Sequence, residues 1–149
     1  MPALGKAAMT LYNSDFYAWT QTQAKTLKAG IWDALDVENL VEEIETLGRQ
    51  ERQELQNRLG ILLGHLLKWQ YQPENRSNSW RSTLREQRRR IDQLLADSPS
   101  LKPFLPEAIA RAYQDGLDLA VRETGLGYDA FPEDCPYLFT QVLAPDFLP

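Results

Sequence analysis

From Leu40 to Trp69, apolar residues return at steps of three, four or eight, through Ile44, Leu47, Leu55, Leu59, Leu62 and Leu66, and no proline intervenes before Pro73. This is the period of one face of an α-helix. Asp36 supplies an N-cap and Glu38 an anion in the first turn, where the helix dipole favours it, so the spacing predicts a helix over residues 37–71. Unbroken, it would run about 52 Å at the α-helical rise, against a radius of gyration of about 15 Å for a compact domain of this size. A bend or break is therefore expected, and Gly48 is the place for it, since glycine costs about 1 kcal/mol against alanine inside a helix and marks C-caps. A straight helix through Gly48 would leave half of its length without a partner in a compact monomer and would point instead to an extended dimer.

The rest of the chain reads in the same period. Asn13-Ser14-Asp15 offers N-cap residues, Phe16, Trp19, Ala24 and Leu27 follow at helical spacing, and Gly30 supplies a stop, giving a helix over about 14–29. Trp32 and Leu35 fall in a connector, where they are expected to anchor the turn on the core. Pro73–Ser79 is rich in turn residues. Trp80, Leu84, Ile91 and Leu94/Leu95 define a helix over about 78–97. Pro103 and Pro106 suit a helix start, and Leu105, Ile109, Ala112, Tyr113, Leu117, Ala120 and Val121 carry that helix to Gly125. The Pro- and aromatic-rich tail, with Phe131, Tyr137, Phe139, Phe147 and Leu148, is expected to be an ordered strap with a short helix from Pro136 to about Leu143. Nothing alternates with period two between turn signals, so no sheet is expected. The fold class is all-α: a bundle of four main helices, the second broken near Gly48, plus the C-terminal strap.

With 149 residues, 43% hydrophobic and 25% charged, the chain has the size and composition of one globular domain, neither disordered nor membrane-spanning. Residues 1–11 are expected to be a flexible lead-in without the apolar stretch of a signal peptide, and 12–149 a single helical domain. The net charge of −5 argues against a general coating of nucleic acid. One Cys excludes an internal disulfide and a Cys-rich zinc site, and one His excludes any site needing two imidazoles. A reduced thiol at Cys135 in a cytoplasmic protein is the default.

Several strings carry a family likeness: Tyr12-Asn-Ser-Asp-Phe-Tyr-Ala-Trp19, Glu38-Asn-Leu-Val-Glu-Glu-Ile-Glu45, His65-Leu-Leu-Lys-Trp-Gln70 and Trp80-Arg-Ser-Thr-Leu-Arg-Glu-Gln-Arg88. The close, Phe131-Pro-Glu-Asp-Cys-Pro-Tyr137 to Asp146-Phe-Leu-Pro149, carries it too. Over residues 12–149 the chain resembles a bacterial family of small proteins called domain of unknown function 29, familiar from cyanobacteria and proteobacteria. The resemblance implies an all-helical protein and transfers no activity, cofactor or catalytic residue.

Three polar constellations are candidates for function. Asp33, Asp36, Glu38, Glu42, Glu43 and Glu45 lie together with no basic residue among them, and Glu38, Glu42 and Glu45 share a helix face. With His65 as a neighbouring imidazole they form a candidate carboxylate/His cluster for an oxygen-type divalent metal, of the kind helical bundles build. A solvated or ion-paired face explains them more simply, and neither metal nor cofactor is expected. Second, residues 76–90 hold six arginines against Glu86, a local +5. Arg81, Arg85 and Arg88 share a face, with Arg89 beside it, forming either a basic surface or an ion-pair face. Arginine suits phosphate and nucleic acid, but pairing with the 33–45 acids is expected first, through a bridge from Arg81, Arg85 or Arg88. Third, Glu51, Arg58 and His65 recur every seven residues, expected as a network setting helix register, with His65 as general acid/base the functional alternative. Cys135 beside Asp134 and Glu133 should have a raised pKa and no special reactivity.

No serine-hydrolase elbow, P-loop or dinucleotide fingerprint is present. The expected function is a small cytoplasmic interaction or regulatory protein acting through a charged helical surface, with a protein partner or a second copy of itself. A metal-dependent hydrolase-like or phosphate-handling enzyme is the alternative, a nucleic-acid-contacting module the third. No membrane role is expected.

Overall fold

The computed structural model describes residues 11–149, and among these all regular structure is helical, with no strand. Residues 1–10 of the expected lead-in lie outside the described residues. Leu11 opens a helical turn over 11–14, its carbonyl accepting from the Asp15 N–H at 2.8 Å. Four long helices follow: α1 (Phe16–Ala29), α2 (Val37–Tyr71), α3 (Asn78–Asp97) and α4 (Leu105–Thr124). A short α5 (Phe139–Leu143) sits in the tail. Short 3-10 turns at Trp32–Ala34, Pro73–Asn75 and Pro99–Phe104 connect the long helices, and one at Tyr128–Ala130 opens the tail.

Helix ends fall where the residue chemistry puts them. The Asp15 side chain accepts from Ala18 N–H to start α1, and Ser77 accepts from Trp80 N–H to start α3. Gly30 and Gly125 end α1 and α4 with φ of 69° and 77°, the left-handed conformation glycine adopts without a Cβ clash.

The expected break at Gly48 is absent: α2 is helical from Val37 to Tyr71. Gly48 has neither a positive φ nor a proline nearby, and helix formers flank it on both sides. One unfavourable residue of about 1 kcal/mol does not stop a helix whose every added residue gains a hydrogen bond. The chain does fall into two compact units, the first ending at Arg49 and the second beginning at Gln50. That division falls inside one uninterrupted helical segment.

In the first unit Tyr12, Phe16 and Trp19 form a ring cluster with centroids 4.8–5.7 Å apart. Trp19 is buried and donates its indole N–H to Asp36 Oδ2 at 2.9 Å. Trp32, expected on the core, is instead 64% exposed. Trp19 and Gln23 occupy the buried positions of α1, and the Asp36 N–H donates to Gln23 Oε1 at 2.9 Å.

The second unit holds the hydrophobic core. Leu55, Leu59, Leu62, Leu63, Leu66 and Leu67 of α2 pack with Leu84, Ile91 and Leu95 of α3 and with Ile109, Ala112, Tyr113 and Leu117 of α4. Gly64 and Gly116 let α2 and α4 approach closely. A Cβ built on Gly116 would stand 2.9 Å from Gly64 N and 3.0 Å from Gly60 O. The tail closes the core as the expected strap, contributing Phe131, Tyr137 and Val142.

Candidate functional site

Asp36 joins several elements of the first unit. It is buried, and besides Trp19 its carboxylate accepts from the Asn39 side chain at 2.8 Å and the Asn39 backbone N–H at 3.4 Å, the N-cap geometry. Beyond it, α2 carries two rows side by side. Val37, Val41 and Ile44 form an exposed apolar row, with Leu47 beside its C-terminal end. Glu38, Glu42 and Glu45 form the next row, all exposed. Gly48 extends the apolar row, and a Cβ placed there would meet nothing within 4 Å. Arg49 bridges Glu42 at 3.1 Å and Glu45 at 3.9 Å. Glu43, one position on from Glu42, accepts from the Tyr12 hydroxyl, and that hydrogen bond raises the Tyr12 pKa.

Among the described residues, no three His, Cys, Asp or Glu side chains are gathered to hold a metal ion. Glu38, Glu42 and Glu45 belong to the first unit and His65 to the second. His65 is buried beside Leu66 and Leu67, with Nδ1 2.9 Å from the Ile61 carbonyl. A carbonyl only accepts, so Nδ1 carries the proton. Burial lowers the His65 pKa below 6.5, and the Lys68 charge adds to this, against the Ile61 hydrogen bond and Glu123. Of the seven-residue stripe, Arg58 alone reaches another helix, donating to Gln87 at 3.2 Å and to its own Glu54 at 2.7 Å. Glu51 is exposed.

The arginines of α3 separate into different environments. Arg88 is only 4% exposed, and its partners are backbone carbonyls. It donates to Val142 at 2.9 Å, Gln141 at 3.3 Å, Pro145 at 3.4 Å and Phe147 at 2.9 Å. It pins the tail, and it also lines a groove together with Arg85 and Arg89. Burial lowers its pKa and the nearby Asp146 charge opposes that. Arg81 lies over the Trp69 ring at 5.2 Å, sharing it with Arg76 at 5.0 Å. Arg90 bridges Glu86 at 3.0 Å. Arg85 and Arg89 are exposed, and with Asp92, Gln93, Ala96 and Pro145 they line a groove of about 510 Å³ beside Arg88.

Lys68 was not singled out by sequence spacing, yet it is buried in the second unit. It bridges Glu123 at 2.9 Å and stands 4.6 Å from the Trp80 ring centroid. Its signal was present as a lysine between Leu67 and Trp69, inside the apolar run of α2. The Cys135 pKa is raised, as expected, but by burial and not by Glu133 or Asp134; its thiol donates to Tyr137 O at 3.6 Å.

A family model described as Domain of unknown function DUF29 matches residues 11–148. The chain belongs to that family. The description carries no activity, so the DUF29 assignment bears on fold and extent and leaves chemistry to the side chains. No curated protein and no solved structure matches the chain. Among the described residues, no helix of this DUF29 chain is long and apolar enough to cross a membrane.

Proposed function

We propose that this chain is an interaction protein whose working surface is the paired apolar and acidic rows of α2, and that the surface receives a basic amphipathic helix of another protein. One observation carries the reading. Among the described residues thirteen large hydrophobic side chains are exposed, and nine of them lie between Phe16 and Leu47, in the first unit. Scattered exposed apolar residues are ordinary, whereas a contiguous row marks a contact surface. The row Val37, Val41, Ile44 has the i, i+4, i+7 spacing by which one helix meets another.

The neighbouring row gives the sign of the partner. Glu38, Glu42 and Glu45 favour lysine or arginine beside the partner's apolar residues and repel an acidic helix. A second copy would set the same glutamates against themselves, which argues against self-pairing. The same proposal places the protein in the bacterial cytoplasm, where the unpaired Cys135 would stay reduced, and treats residues 12–149 as one domain.

The test uses two synthetic helical peptides with identical leucine rows, one flanked by lysines and one by glutamates. Calorimetry should show the lysine peptide binding, more weakly as salt rises, and the glutamate peptide not binding. Ile44→Asp with Leu47→Asp should abolish binding without altering the circular dichroism, since both side chains are exposed. Equal affinity for the two peptides, or none for either, overturns the reading. A dimer in sedimentation velocity that Ile44→Asp dissolves would assign the surface to a second copy instead.

A further inference from the structure

We infer that the groove between α3 and the C-terminal tail is a binding site for a small phosphomonoester with a polyhydroxylated body, held by Arg85 and Arg89. It lies wholly within the second unit and is independent of the α2 surface.

The first support is the state of the arginines. Arg49, Arg58, Arg90 and Arg111 each pair with a glutamate, Arg52, Arg76 and Arg81 lie over aromatic rings, and Arg88 is bonded to carbonyls. Among the described residues Arg85, Arg89 and Arg122 are the arginines with no such partner, and of these only Arg85 and Arg89 share one cavity. They are four positions apart on α3, a spacing at which like charges repel on a helix surface. The hydrogen-bond partners of Arg88 are neutral carbonyls, so its charge adds to the same field, offset in part by the nearby Asp146. Asp92 is the one carboxylate lining the groove and forms no ion pair. Three guanidiniums against the lining Asp92 and the nearby Asp146 leave a net positive charge that an anionic phosphate would neutralise.

The second support is shape. About 510 Å³ is within the range of about 300–1,000 Å³ typical of small-molecule sites and far exceeds the space of a bare phosphate. Ala96 and Pro145 give an apolar wall, while Asp92 and Gln93 offer an acceptor and a mixed donor–acceptor for hydroxyl groups. Two guanidinium forks one helical turn apart can each donate two parallel hydrogen bonds to a tetrahedral oxyanion. Arg88 holds Pro145 in place through its carbonyl, so the far wall is fixed before any ligand arrives.

The experiment is calorimetry of the full chain at fixed ionic strength with ribose 5-phosphate, glucose 6-phosphate and AMP, alongside unphosphorylated ribose and inorganic phosphate. At least one phosphomonoester should bind, inorganic phosphate more weakly, and ribose not at all. Arg85→Gln with Arg89→Gln should weaken binding by about tenfold or more, the loss expected for charged hydrogen bonds, while Arg122→Gln should leave it unchanged. In the wild-type chain, the Nε–H resonances of Arg85 and Arg89 should shift on adding the bound phosphomonoester, a readout that needs no variant. Absence of binding by all three esters, binding retained in the double variant, or unshifted Nε–H resonances would overturn the site. Tight binding of a single-stranded oligonucleotide with no small-ester binding would also overturn it, in favour of nucleic acid.

Discussion

Arg88 Nη2 donates to the Phe147 carbonyl at 2.9 Å, joining α3 to a point 59 positions further along the chain. The same guanidinium holds Val142, Gln141 and Pro145, so a single side chain fixes the tail against the second unit. Arg88→Ala leaves those acceptors without their donor and should lower stability by about 3 kcal/mol, from lost charge-assisted bonds and the newly unsatisfied buried carbonyl of Val142. Arg88→Lys should recover only part, because an ammonium lacks the planar fork. Urea denaturation checks the size, and faster proteolysis within residues 139–149 checks the location.

Gly48 and Gly116 should respond oppositely to alanine. Gly48 lies inside α2 with open space around its would-be Cβ, so Gly48→Ala should stabilise by about 0.5–1 kcal/mol. At Gly116 the new methyl would meet the α2 backbone at 2.9–3.0 Å, which cannot yield as a side-chain tip does. Gly116→Ala should cost about 1–3 kcal/mol. Thermal melts of the two variants side by side make the comparison, and destabilisation by Gly48→Ala would contradict the unbroken helix.

Asp36→Ala removes the α2 cap and the acceptor of the Trp19 indole together. A loss of about 2 kcal/mol is expected in the first unit, with Asp36→Asn retaining part of it through its side-chain oxygen. The Trp19 indole N–H resonance followed during urea unfolding reads the change where it occurs.

His65 makes stability depend on pH in a known direction. Its folded-state pKa is held below 6.5 by burial, so the unfolded chain takes up a proton first as the pH falls. This contribution is complete above pH 6.5 and declines below it, levelling off once the folded-state value is passed. His65→Asn, which can still donate to the Ile61 carbonyl, should show a shallower loss of urea midpoint between about pH 7 and about pH 5. Parallel slopes for the two proteins would remove His65 from the account.

Local chemistry determined the elements of this protein. The bounds of α2 and α3 follow from apolar period and caps, and Gly30 and Gly125 end their helices because few other residues accept a positive φ. The core of the second unit follows from the same period, since Leu55, Leu59, Leu62 and Leu66 have no other favourable place. The roles of the charged side chains were decided by tertiary structure. Arg88 stands in the apolar row Leu84, Ile91, Leu95, a sign of burial that spacing contained, but its carbonyl partners come from residues 141–147. Lys68 is held by Glu123, 55 positions away. Helical period is set by neighbours three and four residues apart, whereas desolvating a charge requires partners, and those were supplied by segments that only folding brought near.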